Sequence, residues 1–178
     1  MKLLFTGKYI ILLLLALGLM ACQQTEKRKK TQPDKKEIRE SLIKANKNIV
    51  RTEEQEIEDF LKRYGWDMEK TGSGLRYMIV KQGEGTKGKT GRIASIAYSI
   101  QFLTGDTLEK SPEGKPLQFI IGKDDVISGL QKGILLLKEG DEAIFVIPSH
   151  LAYGFTGKPG SIPPKTTLVY HVKVLEIN

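Results

Sequence analysis

The sequence predicts an α+β fold: a mostly antiparallel β-sheet with one short helix on its face and a helical extension before it. Three observations carry this. From Leu75 onward, apolar residues follow the period of strands in five separated segments. A single capped helical segment interrupts them after Ser128. Upstream, Thr52 to Tyr64 has the apolar stripe of an amphipathic helix.

The chain has 178 residues, and its first segment is not fold material. Lys2 and Lys8 form a basic flank, Tyr9 to Met20 is apolar, and Leu19-Met20-Ala21-Cys22 ends the run. A membrane-spanning helix needs roughly 20 apolar residues, and this run is shorter. It reads as a signal peptide over residues 1–21, and its Leu-x-Ala-Cys ending resembles a bacterial lipobox. Cleavage there would leave Cys22 first and lipidated. Cys22 is the only cysteine, so no intrachain disulfide, cysteine metal cluster or second thiol is available.

The net charge of +7 is unevenly spread. Residues 23–50 carry nine Lys/Arg against four Asp/Glu, concentrated in Lys27-Arg28-Lys29-Lys30. A basic run can bind nucleic acid. Export argues against that and leaves a solvated tether, or attraction to anionic lipid head groups. Gln23 to about Asp34 reads as a linker, and Lys35 to Asn46 as a frayed helix; together residues 22–50 form a charged tether.

An accessory helix follows within residues 51–70. Thr52 and Gln55 fit a capping box, Glu53, Glu54 and Glu56 crowd its positive end, and Gly65 stops it. Ile57, Phe60, Leu61 and Tyr64 form the stripe. The strand candidates are Leu75–Lys81, Ile93–Leu103, Leu117–Ile121, Ala143–Ile147 and Thr167–Ile177. Between them, Ser128 and Gln131 fit a second capping box, Leu130, Ile134 and Leu137 form a face, and Lys138 with Gly140 ends the helix.

Gly83-Glu84-Gly85-Thr86-Lys87-Gly88-Lys89-Thr90 matches a phosphate-loop pattern. That mechanism needs a helix to begin here, whereas Gly91 and a strand follow. The segment is a glycine-rich turn, and no nucleotide is expected. His150 and His171 lack paired carboxylates at ligand spacing, so neither metal nor cofactor is expected. No Ser-His-Asp or Cys-His arrangement exists. The richest segment is Leu151 to Pro164, where Gly154, Gly157 and Gly160 alternate with Pro159, Pro163 and Pro164. Such a loop holds one shape and presents Tyr153 and Ile162 from it.

Several separated elements then occur in one order: Ala97-Tyr98, Gly105, Leu117-x-Phe119, Gly122, Val126-Ile127-x-Gly129, Lys138-Glu139-Gly140-Asp141, Leu151-Ala152-Tyr153-Gly154, Gly160-x-Ile162-Pro163-Pro164 and Thr167-Leu168-Val169. Residues 71–178 thereby resemble the FKBP-type peptidyl-prolyl cis-trans isomerases. The resemblance implies a curved antiparallel sheet wrapped around one short helix, with an apolar substrate pocket between them. Carried over by position, it implies catalytic roles for Tyr98, Glu109, Ile127 and Tyr153. It assigns substrate contacts to Leu108, Leu117, Phe119, Val126, Leu130, Ile162 and Tyr170.

Some positions depart from the family. Leu130 stands where a Trp floor is usual, Leu108, Leu117 and Tyr170 replace phenylalanines, and Glu109 and Asp125 exchange carboxylate lengths. Lys158 and Ser161 also differ. The implied function is isomerisation of X–Pro bonds in exported proteins by a lipid-anchored enzyme. The alternative is a non-catalytic chaperone or binding module. The layout of lipobox, charged tether, helix and Thr71-Gly72-x-Gly74-Leu75-Arg76-Tyr77 also resembles FKBP lipoproteins associated with gliding motility in Bacteroidota. The expected location is the bacterial cell envelope, facing the periplasm. The expected partners are proline-containing exported proteins and the membrane reached through Cys22.

Overall fold

Helix α1 runs unbroken from Lys35 to Tyr64 in the computed structural model, which describes residues 34–178. The signal peptide, Cys22 and the first part of the tether lie outside the described residues. One helix thus replaces the two expected. No Gly or Pro occurs between Lys35 and Tyr64 to interrupt it. Thr52 is therefore not a cap: its hydroxyl donates to Asn48 O at 3.0 Å, and Gln55 Nε2 donates to Asp59 Oδ1 at 3.0 Å. The C-terminal end behaves as expected. Gly65 takes φ +64°, and Trp66 N–H reaches back to Leu61 O at 3.0 Å.

The portion of α1 from Lys44 belongs to one compact unit, Lys44–Asn178. Its strands are β1 (Glu69–Lys70), β2 (Arg76–Lys81), β3 (Ile93–Phe102), β4 (Thr107–Lys110), β5 (Leu117–Ile120), β6 (Glu142–Ile147) and β7 (Leu168–Ile177). All pair antiparallel in the order β1-β2-β6-β7-β3-β4, with β5 also paired to β3. The short helix α2 spans Ser128–Ile134, and a single 3-10 turn spans Ser149–Leu151. Irregular register in β3, at Ser95/Ile96 against β7 and Ile100/Gln101 against β4, marks bulges that bend the sheet.

Alternation in β6 and β7 explains both sides of the sheet. Ala143, Phe145 and Ile147 join Leu168, Tyr170, Val172 and Val174 on the inner face, where Leu130, Ile134 and Leu137 pack. Ile144, Val146 and Val169 face outward and are covered by Ile57, Phe60 and Leu61 of α1. The continuous apolar run of β6 is thus a strand buried on both faces. Phe60, Tyr64 and Trp66 form an aromatic cluster at the end of α1, with centroids 4.7–5.5 Å apart.

A buried arginine, paired with two partly exposed carboxylates, ties α1 to β2. Arg76, only 1% exposed, donates through Nη2 to Glu54 Oε1 at 2.6 Å and Glu58 Oε1 at 2.7 Å. The glycine-rich segment starting at Gly83 is a turn with no helix, as expected. A Cβ at Gly83 would sit 2.2 Å from Glu139 O, so its glycine is required by close backbone approach.

Candidate active site

The loop before α2 is tied down by side chains rather than by a capping box. Gln131 Oε1 accepts from Gly122 N–H at 2.7 Å, and its Nε2 donates to Asp124 O at 3.0 Å. Asp124 Oδ2 accepts from Ile120 N–H at 2.6 Å. Ser128 is not the cap either; its hydroxyl donates to Leu151 O at 3.2 Å. The N-cap residue is Ile127, with extended backbone at φ −49° and ψ 138°. Its carbonyl accepts from Leu130 and Gln131, while its N–H has no acceptor among the described residues. That donor sits at the start of α2.

Across from it stands the loop after the 3-10 turn. Ser149 O accepts from Ala152 N–H at 3.0 Å and Gly154 N–H at 2.7 Å. Lys165 N–H donates to Gly154 O at 2.8 Å and closes the loop's base. Lys158 and Ile162 exchange two backbone bonds at 2.8 and 2.9 Å. A Cβ at Gly157 would lie 2.2 Å from Ile162 O, so only glycine fits this crossing. The result is a stiff platform for Tyr153, with Lys158 Nζ 5.9 Å from the centre of its ring.

Between the two loops and the inner face of β3 lies a cavity of about 510 Å³. Of the residues singled out in the sequence, Tyr98, Glu109, Leu117, Val126, Ile127, Leu130, Tyr153 and Tyr170 line it. Three others do not. Phe119 sits opposite Ala94, toward the far end of β3, and is sealed in the core. Ile162 is buried beneath the loop and props it from inside. Leu108 packs at the margin of the core without reaching the cavity.

Ile100, Ser128 and Ala152 also line the cavity, and the resemblance assigns none of them a site role. Ile100 lies two residues after Tyr98, and strand period places both on one face. Ser128 and Ala152 adjoin Ile127 and Tyr153, which is the only signal the sequence holds for them.

Polar side chains share the lining with the apolar floor. The Tyr98 hydroxyl donates to Glu109 Oε1, and the Tyr98 and Tyr170 rings stack with centroids 6.2 Å apart at 26°. Burial, then the hydrogen bond to the Glu109 carboxylate, pushes the Tyr98 phenol up to about 12. Burial foremost, with Tyr153 and Tyr98 nearby, raises the Tyr170 phenol further still. Both stay protonated at neutral pH and can only act as neutral groups. Asp125 and Lys158 stand at the rim as opposite charges. Among the described residues no group of three or more His, Cys, Asp or Glu could hold a metal ion.

A larger cavity, about 940 Å³, opens on the other side of the sheet against Ser99, His171, Lys173 and the 110–116 loop. The smaller one is the better candidate. It alone combines an apolar floor, a free backbone donor at a helix start and a rigid tyrosine-bearing loop.

Comparison with known proteins agrees with this geometry. Residues 84–175 match the family model described as FKBP-type peptidyl-prolyl cis-trans isomerase. A probable FKBP-type peptidyl-prolyl cis-trans isomerase of Haemophilus influenzae is 33% identical over 85% of this chain and 65% of its own length. A probable isomerase of the same type, FkpA of Neisseria meningitidis, is 42% identical over 60% of this chain and 39% of its own. The chain therefore spans less than two thirds of these curated relatives. Among solved structures, FkpA from Escherichia coli is 29% identical with a TM-score of 0.63, covering 83% of this chain and 74% of that one. AtFKBP13 is 30% identical with a TM-score of 0.59, covering 64% of this chain and all of that one. The family model, the identities and the shared fold place this chain in the FKBP-type peptidyl-prolyl cis-trans isomerase family.

Proposed function

We propose that this chain accelerates cis–trans isomerisation of X–Pro bonds. The observation that carries the reading is that Ile127, whose N–H has no acceptor among the described residues, and Tyr153 line one cavity with an apolar floor. Rotation about a peptide bond costs roughly 18–20 kcal/mol because amide resonance must be broken. Unaided X–Pro bonds need about 10–100 s. The planar amide is more charge-separated than the twisted one. The apolar floor of Leu130, Leu117 and Val126 therefore disfavours the planar form.

The Ile127 N–H is available to the substrate carbonyl preceding proline, and the Tyr153 hydroxyl lies on the opposite wall. Tyr98, held by Glu109, closes the polar side. No proton is transferred and no bond is made or broken, so shape and placed donors suffice. Tyr153→Phe tests this directly. It should lower kcat/KM on a short X–Pro peptide, read by a protease-coupled assay, while the melting temperature stays unchanged. Full activity in that variant would remove Tyr153 from the mechanism.

We further propose that the lipobox-like ending at Cys22 anchors the protein to a bacterial envelope membrane, facing the periplasm, where its clients are exported proteins containing proline. The apolar run that ends in Leu19-Met20-Ala21-Cys22, with the charged tether after it, supports the anchor. Stable anchoring needs two acyl signals or more, so the anchor requires more than one acyl chain at Cys22. In Cys22→Ser cells, fractionation should find the chain released or left as an unprocessed precursor. Normal processing with full membrane retention contradicts the anchor.

A further inference from the structure

We propose that Glu53, on helix α1, is a positioning residue for the substrate loop, and that α1 thereby sets the activity of a pocket it does not touch. The proposal rests on the isomerase reading above. The Glu53 carboxylate accepts three hydrogen bonds. Oε1 takes Ser149 N–H at 2.6 Å and Thr167 Oγ1 at 2.7 Å, and Oε2 takes Ser149 Oγ at 3.1 Å. Ser149 begins the 3-10 turn that leads into the Tyr153 loop, and Thr167 is the residue that leads out of it into β7. One carboxylate, 96 and 114 positions away in sequence, thus grips both ends of the loop.

These contacts reach the pocket in a single further step. Ser149 O accepts the amides of Ala152 and Gly154, which flank Tyr153. Fixing the Ser149 backbone fixes the direction of that carbonyl and so the plane on which Tyr153 stands. Ser149 and Thr167 are both buried, and hydrogen bonds to an ionised acceptor are roughly twice as strong as neutral ones. Docking of the helix does not need Glu53. Glu54 and Glu58 dock it through Arg76, and Ile57, Phe60 and Leu61 dock it through the outer core. None of those groups bonds the loop. The three bonds of Glu53 therefore have a separate destination.

The test compares two variants of the full chain, Glu53→Gln and Glu58→Gln. Each is assayed for kcat/KM on an X–Pro peptide well below its own melting temperature, and for amide hydrogen exchange at Ala152 and Gly154. Glu53→Gln sets an amide NH₂ against donors. It should lower kcat/KM by about tenfold, less than the roughly 10²-fold that a full one-ångström misplacement can cost, and should speed exchange at both amides. Glu58→Gln should lower the melting temperature and leave both readouts alone. Thr167→Val, which removes one donor without changing shape, should give a smaller fall and no additional fall in the Glu53→Gln background; it carries the test if Glu53→Gln does not fold. Wild-type kcat/KM in folded Glu53→Gln overturns the proposal, whatever its exchange. If the wild-type chain itself accelerates nothing, the isomerase reading fails, and exchange at Gly154 alone decides whether Glu53 holds the loop.

Discussion

Leu130 forms part of the floor of the cavity, where the family more often places a flat aromatic ring. An aliphatic floor offers no flat surface for a proline ring to pack on. Leu130→Trp should therefore tighten binding of a proline peptide, measured by titration. Leu130 is 1% exposed, and overpacking would cost about 1–3 kcal/mol of stability. Unchanged affinity in a folded variant would mean that the ring packs elsewhere. A second residue sets a pH dependence. His171 Nε2 is buried without a partner among the described residues, and burial lowers the ring's pKa from 6.5. Its ring lies edge-on to Trp66 at 6.2 Å. The unfolded chain then binds the proton more readily than the folded one. Stability is full above pH 6.5 and declines as pH falls through the lowered value. The melting temperature of His171→Phe should fall less on acidification from pH 7 to 5 than that of the wild type. Parallel curves would assign the acid sensitivity to other groups.

Among the elements, helix α1 departs most from the sequence reading. Glu53, Glu54 and Glu56 look like a cap's acidic complement, yet they lie mid-helix, and two of them reach across to Ser149, Thr167 and Arg76. Tertiary partners, not the helix terminus, explain their position. Periodicity could show the buried stripe but not its long-range carboxylate contacts, since those partners lie far along the chain. Strand β4 was missed for a different reason. It has four residues, largely exposed, after a tight turn in which Gly105 takes φ +94° and Thr104 bonds Asp106. The site was more legible. Tyr98, Ile127 and Tyr153 stand in short motifs, whereas Phe119 and Ile162 stand in motifs of the same kind but are buried. The Arg76 cluster makes its own prediction. Replacing both Glu54 and Glu58 with Gln leaves a buried guanidinium uncompensated. The loss, by denaturant unfolding, should lie at the lower end of about 3–5 kcal/mol because both carboxylates are partly exposed. Arg76→Met should cost less. A larger loss for Arg76→Met would show that its stem packing, not its charge, matters.

At the scale of the whole molecule, one sheet carries two separate tasks. Its inner face builds the pocket with α2, and its outer face receives α1, so the side chains of β6 and β7 belong alternately to each. Removing residues before Thr71 would expose Ile144, Val146 and Val169 and free Arg76 from its carboxylates. A chain beginning at Thr71 should therefore melt at a lower temperature than the full one. An equal melting temperature would make α1 energetically idle. The central claim concerns rate. The measurement that tests it most directly is the cis–trans exchange rate of a short X–Pro peptide, followed by NMR exchange with catalytic amounts of the full chain, alongside its effect on aggregation of an unfolded protein. An exchange rate well above the uncatalysed about 0.01–0.1 s⁻¹, lowered in Tyr153→Phe, is the predicted result. No acceleration of any X–Pro peptide, with aggregation still suppressed, would contradict it and leave a binding module that uses the same pocket.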